Sequence, residues 1–129
     1  ETTLCSFCKY NEETLAHLLW ECIFAKNFWV DLKLWLKISL SYNLTLTFYD
    51  ICFGYNVNHP DCLINHSIFS GKMYIFSCKL KEQKPRLQLF LHSISQAENV
   101  EKTIAIQNGK QAKHEKKWKS LSTLHLSKT

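Results

Sequence analysis

Three cysteines and a histidine near the start of the chain, Cys5, Cys8, His17 and Cys22, fall in the spacing C-x2-C-x8-H-x4-C. No other feature restricts the fold as much. A C-x2-C pair suits a tight turn that offers two thiolates to one cation, and a later His and Cys can close a tetrahedron around it. A lone C-x2-C would equally suit core cysteines or a disulfide; His17 and Cys22 at ligand spacing decide for a metal. Four protein ligands leave no position open for water or substrate, so the set points to one structural zinc ion rather than a hydrolytic one. The spacing also carries a geometric condition. His17 and Cys22 are five residues apart and would point about 140° away from each other on an unbroken α-helix. Sharing a metal therefore requires an interruption. The sequence predicts a short helix over Glu12 to Leu19, a break near Trp20 and Glu21, and a fresh helix starting close to Cys22.

The residues around these ligands carry a resemblance. Cys5-Ser6-Phe7-Cys8, then Glu13-Thr14-x-x-His17-Leu18-Leu19-Trp20-x-Cys22, then Ala25 and Phe28-Trp29, resemble the zinc-binding segment that follows the polymerase in LINE-type (non-LTR) retrotransposon reverse transcriptases. Phe53-Gly54-Tyr55, the Leu63 to Lys79 stretch ending in Ile75-Phe76-x-Cys78-Lys79, and Lys84-Pro85 are similar to the carboxy-terminal tail of vertebrate members of that class. The similarity is specific over residues 5 to 29, looser to about residue 94 and weak beyond, and it departs at Ser67 and Ser70, where longer aliphatic runs belong. It implies an accessory domain of an RNA-directed DNA polymerase, in contact with RNA or an RNA/DNA hybrid and with the rest of the parent reverse transcriptase. Such a domain belongs to a cytoplasmic and nuclear ribonucleoprotein.

With 129 residues, 46% of them hydrophobic and 13% aromatic, and with only three Gly and two Pro, the chain reads as one mainly α-helical domain with an amino-terminal CCHC zinc knuckle. The first residue is Glu, and no charged segment followed by an apolar one opens the chain, which reads as a piece of a longer polypeptide without a secretory signal. No apolar run approaches the roughly 20 residues needed to cross a bilayer, so no membrane partner is expected. Cys52, Cys62 and Cys78 are scattered and read as small core residues rather than a disulfide framework, which points to a reducing, intracellular compartment.

Charge is divided unevenly. Residues 1–71 hold four lysines against seven acidic side chains, a balance of −3, while residues 72–129 hold eleven lysines and Arg86 against four acidic side chains, a balance of +8. A cationic second half favours polyanionic partners, although lysines serving solubility alone would give a milder version of the same pattern. The expected phosphate contacts are Lys79, Lys81, Lys84, Arg86, Lys110, Lys113, Lys116, Lys117 and Lys119. Trp118, set among lysines rather than on a core stripe, is the tryptophan suited to stack on a base, with packing on the helix before it as the competing reading.

Along the chain, Ala25, Phe28, Trp29, Leu32, Trp35 and Leu36 recur at helical spacing and make residues 22–37 the core spine, with Phe24, Val30 and Leu34 predicted to widen the buried stripe. Trp29 and Trp35 fall on this stripe and read as core, not as base platforms. The alternation over residues 38–49 suits a strand by local rules, but with no partner strand it is read as an irregular linker over 38–46. A short helical turn near Thr47 to Cys52, stopped by Gly54, follows. A helix is expected from Asp61 to Lys79, where Gly71 costs about 1 kcal/mol relative to Ala and a hairpin at 68–76 competes. Leu87, Phe90, Leu91, Ile94, Ala97, Val100 and Ile104 predict a helix to Gln107 that Asn108-Gly109 ends, before a short basic helix over 110–119. The expected divisions are 1–37, 38–60 and 61–129 within one domain.

There is no Gly-rich phosphate loop, no G-x-S-x-G elbow and no carboxylate pair of the kind a two-metal polymerase needs. His59, His66, His92, His114 and His125 stand singly and read as surface or packing residues. Two functions compete: a non-catalytic, zinc-binding nucleic-acid module beside a reverse transcriptase, and a zinc-stabilised module that docks on the polymerase body or a host protein. A zinc nuclease is the least supported.

Overall fold

The computed structural model describes residues 3–41, 44–55, 63–113 and 115. Among these residues a short amino-terminal knuckle is followed by the helices α1 (Ile23–Leu40), α2 (Phe48–Phe53), α3 (Leu63–Leu80) and α4 (Leu87–Gln107). The mainly helical class is as the composition and periodicity predict.

Helix α1 is the spine. It buries Ala25, Phe28, Trp29, Leu32, Trp35 and Leu36, the 3.6-residue stripe anticipated from the sequence. Val30 and Leu34 are exposed, however, so the stripe is narrower than expected and only one side of α1 is covered. The helix also runs to Leu40, into the segment expected to be a linker. Ser41, in the left-handed region at φ 50°, ends it by returning its amide to the Lys37 carbonyl. The alternation that begins at Ile38 is thus the last turn of a helix and its exit.

Helix α2 starts at a reciprocal capping box between Thr47 and Asp50 and stops at Gly54, whose φ of 98° favours glycine. Asn65 of α3 then pins the exit: its side-chain oxygen accepts from the Tyr55 amide (2.6 Å) and its side-chain amide donates to the Tyr55 carbonyl (3.1 Å).

Residues 68–76 are helical, and Gly71 has a packing reason to be there. A Cβ at Gly71 would meet Cη2 of Trp29 at 2.9 Å, so the missing side chain lets α3 lie close against α1. The expected start of this helix at Asp61 lies outside the described residues. Phe28, Tyr74 and Phe90 join α1, α3 and α4 in one aromatic cluster with centroids 5.2 to 5.5 Å apart. Tyr74 Oη also accepts from the Arg86 amide and donates to its carbonyl, both at 3.1 Å, which fixes the α3–α4 connection.

Helix α4 has the predicted bounds, closing with Gly109 at φ 69° and a Lys110 amide bond to the Ala105 carbonyl. Its larger core side chains lie in the first half: Phe90 and Ile94 are buried, and near the end only Ala105 is, whereas Val100 and Ile104 are exposed. No helix of the described residues is long and apolar enough to cross a membrane.

Candidate metal centre

The knuckle begins with a narrow reversal. Leu4 and Glu12 form an antiparallel bridge, the Cys5 amide donates to the Asn11 carbonyl (2.8 Å), and the Lys9 amide returns to the Cys5 carbonyl (3.0 Å). Lys9 takes a left-handed conformation, φ 58°, to complete the turn. This places Cys5 and Cys8 on one side of the loop.

Thr14 begins the helical segment that carries His17, its hydroxyl accepting from the His17 amide at 3.0 Å in the manner of a helix cap. That segment does not break near Trp20 and Glu21 as predicted. It widens into a π turn over His17–Glu21, closed by a bond from the Cys22 amide to the His17 carbonyl (2.7 Å), and the chain becomes extended only at Cys22 itself, with ψ 135°. The physical requirement is the one read from the spacing, met by another device: an i→i+5 bond sets residue 22 above residue 17 instead of across the helix from it. Cys22 then opens α1, its carbonyl accepting from the Lys26 amide (2.8 Å). The interruption also strands the carbonyl of Leu19, and the indole N–H of Trp29 fills it at 2.6 Å.

As a result the four ligand atoms of Cys5, Cys8, His17 and Cys22 lie within 4.8 Å of one another, the one such group found among the described residues. Cys5 Sγ is 3.7 Å from Cys22 Sγ, and Cys8 Sγ is 3.4 Å from His17 Nε2. Cys5, His17 and Cys22 are buried; Cys8 is half-buried at the edge. The group can hold a metal ion. The environments of the thiols differ: backbone amides of Asn11 and Tyr10 draw the Cys8 thiol down to about 6, while burial pushes the Cys22 thiol up to about 11.

A second set of contacts, not foreseen from the sequence, ties this knuckle to α3. Glu13 Oε1 accepts from the amide and the hydroxyl of Ser6, both at 2.8 Å, and Glu13 Oε2 pairs with Lys79 Nζ. Lys79 also donates to Ser6 Oγ at 3.3 Å. The lysine beside it draws the Glu13 carboxyl down to about 2. Ser6 and Glu13 lie inside the segment quoted for its resemblance, but nothing local in their spacing announces an ion pair with a residue in a distant helix.

The expected phosphate contacts divide three ways. Lys79 is already neutralised by Glu13. Lys84 sits over the Phe24 ring, 4.4 Å from its centroid, and Lys81, Arg86, Lys110 and Lys113 are exposed. Lys116, Lys117, Trp118 and Lys119 lie outside the described residues. Of the cysteines expected in the core, Cys78 is buried and Cys52 is exposed, because α2 turns only Ile51 inward; Cys62 lies outside the described residues. No family model, curated protein or solved structure matches the chain.

Proposed function

We propose that Cys5, Cys8, His17 and Cys22 hold one structural zinc ion, and that the chain is a non-catalytic accessory module of a LINE-type reverse transcriptase whose basic second half contacts the backbone of RNA or an RNA/DNA hybrid. The observation that carries the metal assignment is the pair of ligand separations. Zinc bonds of about 2.3 Å to sulfur and about 2.0 Å to nitrogen imply tetrahedral edges of about 3.8 and 3.5 Å, close to the 3.7 and 3.4 Å found. Three thiolates and one imidazole close the coordination sphere, which suits holding shape and leaves no open position for hydrolysis. The nucleic-acid reading is supported by the charge division of the chain and by the resemblance over residues 5 to 29.

With Lys79 committed to Glu13, the contacts are assigned to Lys81, Lys84, Arg86, Lys110 and Lys113, with Lys116, Lys117, Lys119 and Trp118 beyond them. The test is the salt dependence of affinity for a single-stranded RNA. Four or five engaged cations give a slope of log affinity against log salt near −3, by roughly −0.7 per phosphate, with little sequence preference. Neutralising Lys113, Lys116 and Lys117 together flattens that slope by about two without loss of zinc. Unchanged affinity and slope in the triple variant would exclude the last segment from the interface. The purified chain should show neither template extension nor strand scission.

A further inference from the structure

The side of α1 that faces away from the core is not polar. Ile23, Val30, Leu34 and Ile38 are 55%, 56%, 55% and 63% exposed. Their spacing of seven, four and four residues places all four within a band about 80° wide along the helix, at 100° per residue. The band runs about 22 Å from Ile23 to Ile38, at 1.5 Å per residue. Its two edges differ. Lys26, Lys33 and Lys37 follow one edge, Asp31 stands on the other, and Asn27 falls within the band, between the directions of Leu34 and Ile38.

We propose that this face of α1 is a docking surface for an amphipathic helix of a partner protein, about four turns long, that carries acidic residues along one edge of its own apolar stripe. The band has the width and period at which helices interlock by ridges and grooves, and its lysine row supplies the charge that selects an acidic edge. Other occupants fit less well. Nucleic acid gains nothing from four aliphatic side chains in a row, and an anionic bilayer favours cations on both edges, whereas Asp31 stands on the second. A second copy of this chain, paired by a two-fold axis, sets lysine row against lysine row if the helices run antiparallel, or three lysines against a single Asp31 if parallel. The proposal is independent of the RNA reading, which concerns the second half of the chain.

The probe is a synthetic helical peptide about four turns long with leucines at heptad spacing and glutamates along one edge, compared with its lysine counterpart. Each is titrated into the full zinc-loaded chain while backbone amide shifts are recorded. The expected result is binding of the glutamate peptide with shifts centred on Val30, Leu34 and Ile38, and weaker binding of the lysine peptide. Val30→Ser with Leu34→Ser, both at exposed positions, should weaken binding at least tenfold while leaving RNA affinity and the circular dichroism melt unchanged. Lys26→Glu, Lys33→Glu and Lys37→Glu together should reverse the peptide preference. Shifts confined to other elements, equal affinity for the two peptides, displacement of the peptide by RNA, or self-association abolished by the serine pair would each overturn the assignment. Loss of RNA binding in the lysine variants of the second half, with peptide binding intact, keeps the two readings separate.

Discussion

The amide of Cys22 donates to the carbonyl of His17 at 2.7 Å, a bond that spans five residues where an α-helix spans four. That one displaced bond brings the imidazole and the last thiol to the same side of the chain, and with them closes a four-ligand group whose atoms lie within 4.8 Å of one another. A π turn is less favourable than the α-helix it interrupts and persists where surrounding contacts determine it. Here the contacts are identifiable: the Thr14 cap below, the Trp29 indole across, and the extended Cys22 above.

Trp29→Phe keeps an aromatic ring in the core but leaves the Leu19 carbonyl without its donor. An unsatisfied buried acceptor costs about 1–3 kcal/mol, and the lost indole volume adds to it. Thermal unfolding should fall accordingly, and competition with a chelator should show weaker metal retention, because the π turn has lost a support. Phe90→Leu, which removes core volume away from the knuckle, should lower stability without a comparable loss of metal.

Two small residues of α3 should respond in opposite directions to the same replacement. Gly71→Ala gains about 1 kcal/mol of helix propensity but forces a Cβ to 2.9 Å from Trp29 Cη2, and overpacking of that kind costs about 1–3 kcal/mol. The net expectation is destabilisation. Ser67 is fully buried, and its hydroxyl has no hydrogen-bond partner among the described residues. Ser67→Ala removes an unsatisfied polar group and should raise stability by about 1 kcal/mol. Denaturant titration of both variants checks the signs.

How much of this was legible depended on whether the signal was local. The core stripe of α1 and both ends of α4 could be read because burial enforces a 3.6-residue period and Asn108-Gly109 is a local stop. The grouping of Cys5, Cys8, His17 and Cys22 could be read because metal-ligand spacing is short-range. The π turn could not, since periodicity assumes an ordinary helix and offers only the need for some interruption. Val30 and Leu34 misled because an apolar side chain at helical spacing looks the same whether it faces the core or the outside. The Glu13–Lys79 pair joins residues 66 apart in the chain and leaves no local trace.

That pair predicts a pH dependence. The Glu13 carboxyl stands at about 2 in the fold against an ordinary value of 4.5, so folding favours its ionised form. Its contribution is complete above about 4.5 and disappears as pH falls towards 2. Both side chains keep contact with solvent, which holds the contribution below about 1 kcal/mol. The stability difference between the unaltered chain and Glu13→Gln should therefore be constant at neutral pH and vanish as pH falls below about 4.5, where protonation of the thiolates also releases the proposed zinc and with it the knuckle that holds Glu13. Lys79→Met should show the same loss, and the double variant no more than either alone. Additive losses in the double variant would mean that the two residues do not act as a pair.

The central proposal is one zinc ion held by Cys5, Cys8, His17 and Cys22. X-ray absorption at the zinc edge, on the purified chain with metal content measured by native mass spectrometry, tests it most directly. The expected result is one ion per chain, with three sulfur neighbours at about 2.3 Å and one nitrogen at about 2.0 Å, and release of the ion in Cys8→Ser with the first third of the chain losing structure while α3 and α4 stay partly folded. A chain that binds no metal, a sphere containing oxygen in place of one of these ligands, or full retention of zinc in Cys8→Ser would contradict it.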